Sequence, residues 1–182
     1  MSFRNLSLGV VAVALVATSA LANPKVGGAD MFASKNIIEN AVNSPAHTTL
    51  VAAVQAAGLV DVLQTEGPFT VFAPTNSAFA KLPAGTVETL LKPENKDQLS
   101  KILTCHVVPA KAVARAAMKM ISDDGGAYKV KTVGGCELTL KTSGQYLTVT
   151  DENGGVARVT IADVIQSNGV IHVVNRVLLP KS

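Results

Sequence analysis

Residues 67–79, GPFTVFAPTNSAF, combine a strand pattern with the start of a helix. Within this stretch, Phe69 to Ala73 is rich in aromatic and β-branched residues, a composition that predicts a short core strand. Pro74 ends the strand because its ring removes a backbone donor. The stretch contains no acid, base or thiol. We therefore expect it to join a sheet to its helices rather than to perform catalysis.

A helix is expected to begin directly after this strand. Either Thr75 or Asn76 could accept a hydrogen bond from a backbone N–H at the start of the helix. Phe79 would then anchor the helix in the core. Asn76 could instead contact a partner, but we expect capping, because a capping side chain typically contributes about 1 kcal/mol.

The first 22 residues are typical of a secretory signal peptide. Arg4 supplies a positive charge, residues 8–17 form an unbroken apolar run, and Ala20-Leu21-Ala22 matches a cleavage site. The alternative is an uncleaved membrane anchor, although the apolar run is shorter than the roughly 20 residues that a spanning helix needs. Cleavage would place the rest of the chain in the periplasm or outside the cell.

The 160 residues after this segment are enough for one domain with a single core. Residues 23–35 contain one proline and two glycines and are expected to form a flexible N-terminal arm, followed by one domain over residues 36–180. The whole chain has a formal charge of +3 and its basic residues are scattered, so no nucleic-acid partner is expected. No second long apolar segment follows, so the mature form is not expected to span a membrane.

The chain has two cysteines, Cys105 and Cys136, both in the part that would be exported. In an oxidising compartment they are expected to form one disulfide, closing a loop of about 31 residues and contributing about 3–4 kcal/mol. Two separate buried thiols are the alternative. Two cysteines without CxxC spacing or a nearby histidine pair fall short of four zinc ligands, so neither a metal nor a cofactor is expected.

Helical patterns fill most of the chain between residues 36 and 121. Helices are expected near residues 36–42, 47–57, 59–64, 87–91, 99–103 and 112–121. His47 lies at the start of the second helix, where a positive charge is disfavoured, and is expected to be a neutral surface residue. Residues 104–108 switch to strand character.

The last third of the chain predicts an antiparallel meander. Four short strands are expected at residues 128–133, 136–141, 146–150 and 156–161, separated by glycine-containing hairpin signals. Asn168 and Gly169 then form a turn, which we interpret as a turn first and a site second. Val170 to Leu179 is almost wholly apolar and predicts a strand that is covered on both faces. Helices early and strands late indicate an α+β fold.

Three blocks of the sequence together resemble the fasciclin domain. The blocks are residues 67–83, 102–109 and 167–174. The first and the last are similar to the two signature segments of that family, and the middle block is similar to its tyrosine-histidine segment. The resemblance runs from about Asn36 to Pro180, and three blocks in the right order make it more specific than any single motif.

The resemblance implies a wedge of short β-strands packed with several helices. It also implies an exported binding module without cofactor or catalysis, often linked to adhesion or matrix contacts. Cys105 stands where the middle segment usually has tyrosine, so the integrin-binding role of that pair in animal members is not transferred to His106. The family-signature residues, expected to be mainly structural, are Phe69, Pro74, Thr75, Asn76, Phe79, His106, Asn168, Gly169 and His172.

The histidines and cysteines do not suggest an active site. His106 and His172 lie in apolar runs, so their ring nitrogens are expected to bond backbone groups in the core. Cys105 and His106 are neighbours on a predicted strand, and their side chains would therefore point to opposite faces. No GxSxG motif is present. The chain is accordingly not expected to be an enzyme.

Three functions remain open. The leading one is an exported interaction module that supports adhesion through a protein or glycan at the cell surface or in the matrix. The second is a carrier of a small apolar ligand, such as a lipid or pigment, although an aromatic content of 4% offers little to line its pocket. The third is a structural or stress-related exported domain.

Overall fold

The computed structural model describes residues 23–181, so the expected signal peptide lies outside the described residues. The helices are α1 Ile37–Ala41, α2 Thr48–Ala57, α3 Val60–Gln64, α4 Asn76–Phe79, α5 Thr86–Leu90, α6 Lys96–Thr104 and α7 Ala114–Asp123. The strands are β1 Lys25–Val26, β2 Ala29–Asp30, β3 Phe69–Pro74, β4 Val107–Val108, β5 Ala127–Lys131, β6 Glu137–Ser143, β7 Tyr146–Thr150, β8 Val156–Gln166 and β9 Gly169–Val174. Within residues 23–181, every helix is too short or too polar to cross a membrane.

Seven of the strands form one mixed sheet in the order β4-β3-β9-β8-β7-β6-β5. β3, the strand predicted from the opening stretch, pairs antiparallel with β4 and parallel with β9. Phe69 lies opposite Gly169 and Pro74 lies opposite Val174. The first and last sequence blocks are therefore hydrogen-bonded neighbours, so the two signature segments lie side by side. The mixed sheet, together with the helices, confirms the predicted α+β class.

The sheet separates two apolar cores, and β3 contributes to both. Val71 packs with the core under α1 to α6, whereas Phe72 packs with the core under α7 and the meander. This alternation follows from the pleat of the strand, because successive side chains point to opposite faces. β3 is buried on both faces, which accounts for its almost wholly apolar sequence.

Residues 25–30 form a small hairpin, so the prediction of a flexible arm was wrong. β1 and β2 pair antiparallel, and the Met31 N–H donates to the Pro24 carbonyl at 2.9 Å. Val26 and Met31 are 3% and 2% exposed and belong to the core under α1 to α6. Two buried apolar side chains outweigh the proline and glycines that suggested disorder, because each buried side chain contributes about 1.5–3 kcal/mol.

Several strand boundaries also differ from the predictions. The strands expected at residues 128–133 and 136–141 are shifted to Ala127–Lys131 and Glu137–Ser143. Thr104 still belongs to α6, and only Val107 and Val108 form β4. β8 continues past Ile161 to Gln166 through a bulge. β9 ends at Val174, although residues 177 and 178 beyond it are buried. An apolar run indicates that residues are buried, but it does not fix their backbone conformation. The predicted final strand was therefore too long.

Candidate functional site

The junction after β3 holds α4 and α2 together. Thr75 caps α4, because its Oγ1 accepts a hydrogen bond from the Ala78 N–H at 3.3 Å. Asn76 does not cap that helix. Its Oδ1 accepts from the Thr49 N–H at 3.0 Å in the first turn of α2, and its Nδ2 donates to the Pro45 carbonyl at 3.0 Å. Asn76 therefore caps a helix that precedes it in the sequence.

Asn168 is a buried connector between β9 and two helices. Its Oδ1 accepts from the Ile37 N–H at 3.0 Å at the start of α1. Its Nδ2 donates to the carbonyls of Leu63 and Thr65, at 2.7 and 2.8 Å, at the end of α3. One side chain thus satisfies three backbone groups that helix ends leave without partners.

Gly169 permits the close approach of β9 to β3. A Cβ at this position would overlap the carbonyl oxygen of Phe69 on the neighbouring strand. A larger residue would therefore separate the two signature strands. The turn at residues 168–169 is built for this contact, and its glycine is explained without a ligand.

The His106 ring is held in its neutral form by two backbone groups. Nδ1 donates to the Ile102 carbonyl at 2.8 Å, and Nε2 accepts from the Leu178 N–H at 2.9 Å. Because the Leu178 N–H can only donate, Nε2 must be unprotonated. Burial lowers the pKa of His106 to about 4, although the Ile102 carbonyl and the charge of Asp151 act in the opposite direction.

His172 has the same kind of environment on β9. Its Nε2 bonds the Ala112 carbonyl at 2.8 Å, and its Nδ1 accepts from the Asp163 N–H at 3.2 Å. The ring stacks on Phe72 with 5.8 Å between ring centroids. Burial lowers the pKa of His172. Both histidines bond backbone groups, as their apolar surroundings predicted.

His47 is buried, so the prediction of a surface residue was wrong. It is 4% exposed, and its Nδ1 lies 2.9 Å from the Ser44 hydroxyl. Its Nε2 lies near the Ala73 backbone but has no hydrogen bond with acceptable geometry in residues 23–181. Burial lowers the pKa of His47. The sequence pattern marked the start of α2 correctly but could not show that α4 and the hairpin cover it.

Acidification is expected to destabilise the protein well above the pH at which carboxylates titrate. The pKa of His106 is about 4 in the folded chain and 6.5 as its ordinary value, so the unfolded chain binds more protons between these values. The free energy of unfolding is therefore highest above pH 6.5 and falls as the pH falls towards 4. Because the unfolded chain protonates His106 more readily, this residue alone should lower the free energy of unfolding by about 2 kcal/mol between pH 7 and pH 5. Burial of His47 and His172 acts in the same direction.

Urea unfolding curves at pH 7, 6 and 5 would measure this loss. The variant His106→Gln should be less stable at pH 7 but should show a weaker pH dependence than the wild type. An unfolding free energy that stays constant between pH 7 and pH 5 would contradict the prediction.

The structure pairs Cys105 with Cys136 and confirms the predicted disulfide. Their Cα atoms are 5.4 Å apart, and both residues are buried. Cys105 follows the last residue of α6, and Cys136 directly precedes β6. The bond therefore ties the helical side of the fold to the meander. Because Cys105 follows a helix rather than lying on a strand, the argument from strand faces does not apply, but the disulfide leaves it no free thiol.

Two aspartates have structural roles that the sequence did not reveal. Asp151 accepts hydrogen bonds from the backbone N–H groups of Asn153, Gly155 and Leu179. Asp163 has a positive φ of 58° in the β8 bulge, and its Oδ1 accepts from the Ala114 N–H at the start of α7. Asp151 precedes an Asn-Gly turn, which is a recognisable signal for such a role. Asp163 has no comparable signal, because its partner lies 49 residues away.

These contacts leave little chemistry in the signature residues. In both His106 and His172, each ring nitrogen forms a hydrogen bond with a backbone group, one with a carbonyl and the other with an N–H. In residues 23–181, no group of three or more His, Cys, Asp or Glu side chains is placed to hold a metal ion. These side chains therefore support the fold.

An apolar cavity lies between α2, α3 and the sheet. Its volume is about 90 Å³, and its lining includes Leu50, Val54, Leu63, Val71 and Ile171. Exposed valines at positions 62 and 133 mark its edge. For comparison, an engineered apolar cavity of about 150 Å³ binds benzene. The lining is mostly aliphatic, so the low aromatic content of the chain did not prevent a pocket from forming.

The fasciclin domain family matches this chain over residues 45–180. The chain is 51% identical over 144 residues to protein sll1483 of Synechocystis, covering 79% of this chain and 73% of that protein. It is 42% identical over 147 residues to the uncharacterized protein sll1735 of Synechocystis, covering 79% of this chain and 97% of that protein.

Among solved structures, the fold is similar to a FAS1 domain pair from the insect cell adhesion molecule fasciclin I. The TM-score is 0.71 at 18% identity, over 80% of this chain and 51% of that chain. This likeness agrees with the mixed sheet and the helices described above. With a family match over most of its length and a 51% identical relative, the chain belongs to the fasciclin domain family.

Proposed function

We propose that this chain is an exported, non-enzymatic interaction module that supports adhesion through a protein or glycan at the cell surface or in the matrix. The observation that carries the proposal is the internal use of the signature side chains. Asn76, Asn168, His106 and His172 all bond backbone groups within the domain. The signature thus builds a scaffold whose exposed faces are left for partners. Fasciclin domains occur in adhesion proteins, which supports the same function.

Export is part of this proposal and rests on residues 1–22. If the signal peptide is cleaved after Ala22, the protein recovered from the periplasm or the medium should begin at Asn23. Mass spectrometry of the purified protein would measure its N-terminus. Recovery of the chain with residues 1–22 attached, in the membrane fraction, would instead support the anchor.

A deletion strain provides the test of adhesion. We expect reduced attachment or aggregation, which the full gene should restore and a gene lacking codons 2–22 should not. Normal attachment in the deletion strain would contradict the proposal. A defect that appears only under envelope stress would favour the structural or stress-related role.

The apolar cavity favours a second candidate function, the carriage of a small apolar ligand. The cavity of about 90 Å³ can take only the end of an apolar chain, so organic extraction of the protein purified from the exported fraction should then release a molecule with such an end, such as a lipid. Val71→Phe would fill the cavity and lower the yield, whereas Val156→Phe makes the same change at an exposed position and should not. An empty extract from the wild-type protein would reject a tightly held ligand.

A further inference from the structure

We propose that the exposed face of strands β5 to β8, here called the meander face, binds an acidic polysaccharide. The inference rests on the proposed adhesion function and names the chemical class of its partner. It follows from the charge, the hydroxyl groups and the flatness of this face.

The meander face is one side of a four-stranded antiparallel sheet. Alternate residues of β6, β7 and β8 point inward and are buried in the core that includes Ile121 of α7. These inward residues are Leu138, Leu140, Leu147, Val149, Ala157 and Val159. The residues between them point outward, as the pleat requires. α7 packs near β5 and β6 on the inner side. The outer side is therefore left uncovered by the residues that the structure describes.

Four cations project from this face, and one acidic side chain, Glu137, lies among them. Glu152 in the turn after β7 accepts a hydrogen bond from the Glu137 N–H, and Asp163, farther along β8, accepts one from the start of α7. Lys129, Lys131, Lys141 and Arg158 are all exposed. Glu137 pairs with Lys129 at 2.7 Å. Among the described residues, the other three cations have no carboxylate within salt-bridge distance. The face therefore carries a net positive charge, although the basic residues look scattered in the sequence.

The strand register arranges these groups in rows across the sheet. Lys141 lies opposite Thr148, which lies opposite Arg158, so one row carries a cation, a hydroxyl and a cation. With neighbouring strands about 4.8 Å apart, the two cations of this row are about 10 Å apart at the backbone. The next row brings Lys129 opposite Thr139, which lies opposite Thr150. Charges and hydroxyls thus repeat along a line, as they do on a linear acidic sugar polymer.

Tyr146 adds an aromatic surface at the same face. It is 44% exposed, and the Arg158 guanidinium lies 4.8 Å from its ring centroid. The arginine both orients the ring and keeps its own charge available at the surface. An exposed ring beside hydroxyl groups and cations can pack on a sugar ring while the cations pair with its carboxylates or sulfates.

Protection of the sheet edge explains only part of this pattern. Lysines on an edge strand discourage pairing with other chains, and Lys129 and Lys131 lie on the edge strand β5. Lys141 and Arg158 lie on the inner strands β6 and β8, where no edge needs protection. These two cations require another explanation, and an anionic partner supplies it.

The face fits a polysaccharide better than a lipid surface. Peripheral membrane binding combines cations with large apolar side chains that enter the bilayer. On the meander face, threonines occupy the positions between the cations, and the exposed large apolar residues are Tyr146 and Val156. A flat face rich in hydroxyl groups favours hydrogen bonds with a hydrated polymer.

The test compares two variants of the exported protein that lose the same charge. Lys131→Gln, Lys141→Gln and Arg158→Gln together change the meander face. Lys92→Gln, Lys96→Gln and Arg115→Gln remove two lysines and one arginine from helical parts of the surface, and all of these positions are exposed. Binding is measured to alginate and dextran sulfate, with neutral dextran and phosphatidylglycerol vesicles as comparison probes.

We expect the wild type to bind at least one acidic polymer, to ignore neutral dextran, and to lose affinity as salt rises from about 50 to 300 mM. The meander variant should bind about tenfold more weakly, and the helical variant should bind like the wild type. Equal losses in both variants would overturn the inference, because net charge alone would then explain binding. Binding to the vesicles without binding to either polymer would overturn it as well.

The deletion strain separates this inference from the proposed adhesion function. Full rescue of attachment by the meander variant would overturn the polysaccharide as the adhesion partner while leaving adhesion itself supported. Normal attachment in the deletion strain would contradict adhesion, and the polymer measurements would then decide the binding site alone.

Discussion

Removing the disulfide is expected to lower the free energy of unfolding by about 3–4 kcal/mol, the value for a closed loop of this length. Cys105 and Cys136 are 31 residues apart, and the bond restricts the unfolded chain over that loop. The bond also joins α6 to the meander. The apolar side chains of α6 lie in the core under α1 to α6, whereas those of the meander lie mostly in the core under α7. Reduction should therefore loosen the contact between the two halves of the fold.

Urea unfolding of the wild type with and without dithiothreitol would measure this effect. The double variant Cys105→Ala, Cys136→Ala should unfold like the reduced wild type and should not respond to the reductant. Mass analysis under non-reducing conditions should find two hydrogens fewer than in the reduced chain. Two freely alkylated thiols in the exported protein, or equal unfolding midpoints with and without reductant, would refute the prediction.

Asn168→Ala is expected to cost about 4 kcal/mol, because a buried group that loses its hydrogen-bond partner costs about 1–3 kcal/mol. Asn168 is 5% exposed. Its side chain accepts a hydrogen bond from the Ile37 N–H and donates to the carbonyls of Leu63 and Thr65. Thr65 is exposed and its carbonyl can turn to water, but Ile37 and Leu63 are buried, so the variant leaves two buried backbone groups without a partner. The fold around the first and last signature blocks should therefore lose cooperativity.

Two further variants make this prediction specific. Asn168→Asp keeps an acceptor for the Ile37 N–H but brings a carboxylate against two carbonyls, so it should also destabilise the protein. Asn43→Ala removes an asparagine whose side chain bonds the Glu39 carbonyl at an exposed position, and it should cost less than about 1 kcal/mol. If Asn168→Ala were as mild as Asn43→Ala in thermal and urea unfolding, the structural role of Asn168 would be wrong.

Local signals predicted the elements that depend on neighbouring residues. β3 begins at Phe69 and ends at Pro74, and α2 ends before Gly58, which takes the left-handed conformation that glycine favours. The meander strand β7 has the predicted bounds, because alternating apolar residues and glycine turns fix which side chains face the core. These features need information from only a few residues.

The sequence was a poor guide wherever the partner of a side chain is distant. Asn76 caps α2 rather than α4, because the Thr49 N–H lies nearby only after the chain folds back. His47 becomes buried when the hairpin and α4 cover the start of α2. The hairpin at residues 25–30 is stable because Val26 and Met31 find a core that residues far along the chain create.

The class of fold, the family and the central strand that begins at Phe69 could be predicted from the amino-acid sequence. Periodicity, turn residues and three ordered blocks are local properties, and each can be read without knowing what packs against it. The folded chain was needed to show that β3 lies beside β9, that Asn168 connects two helices, and that four cations share one sheet face. Those facts depend on strand order and register, which arise when distant segments bury apolar surface together and satisfy each other's backbone hydrogen bonds.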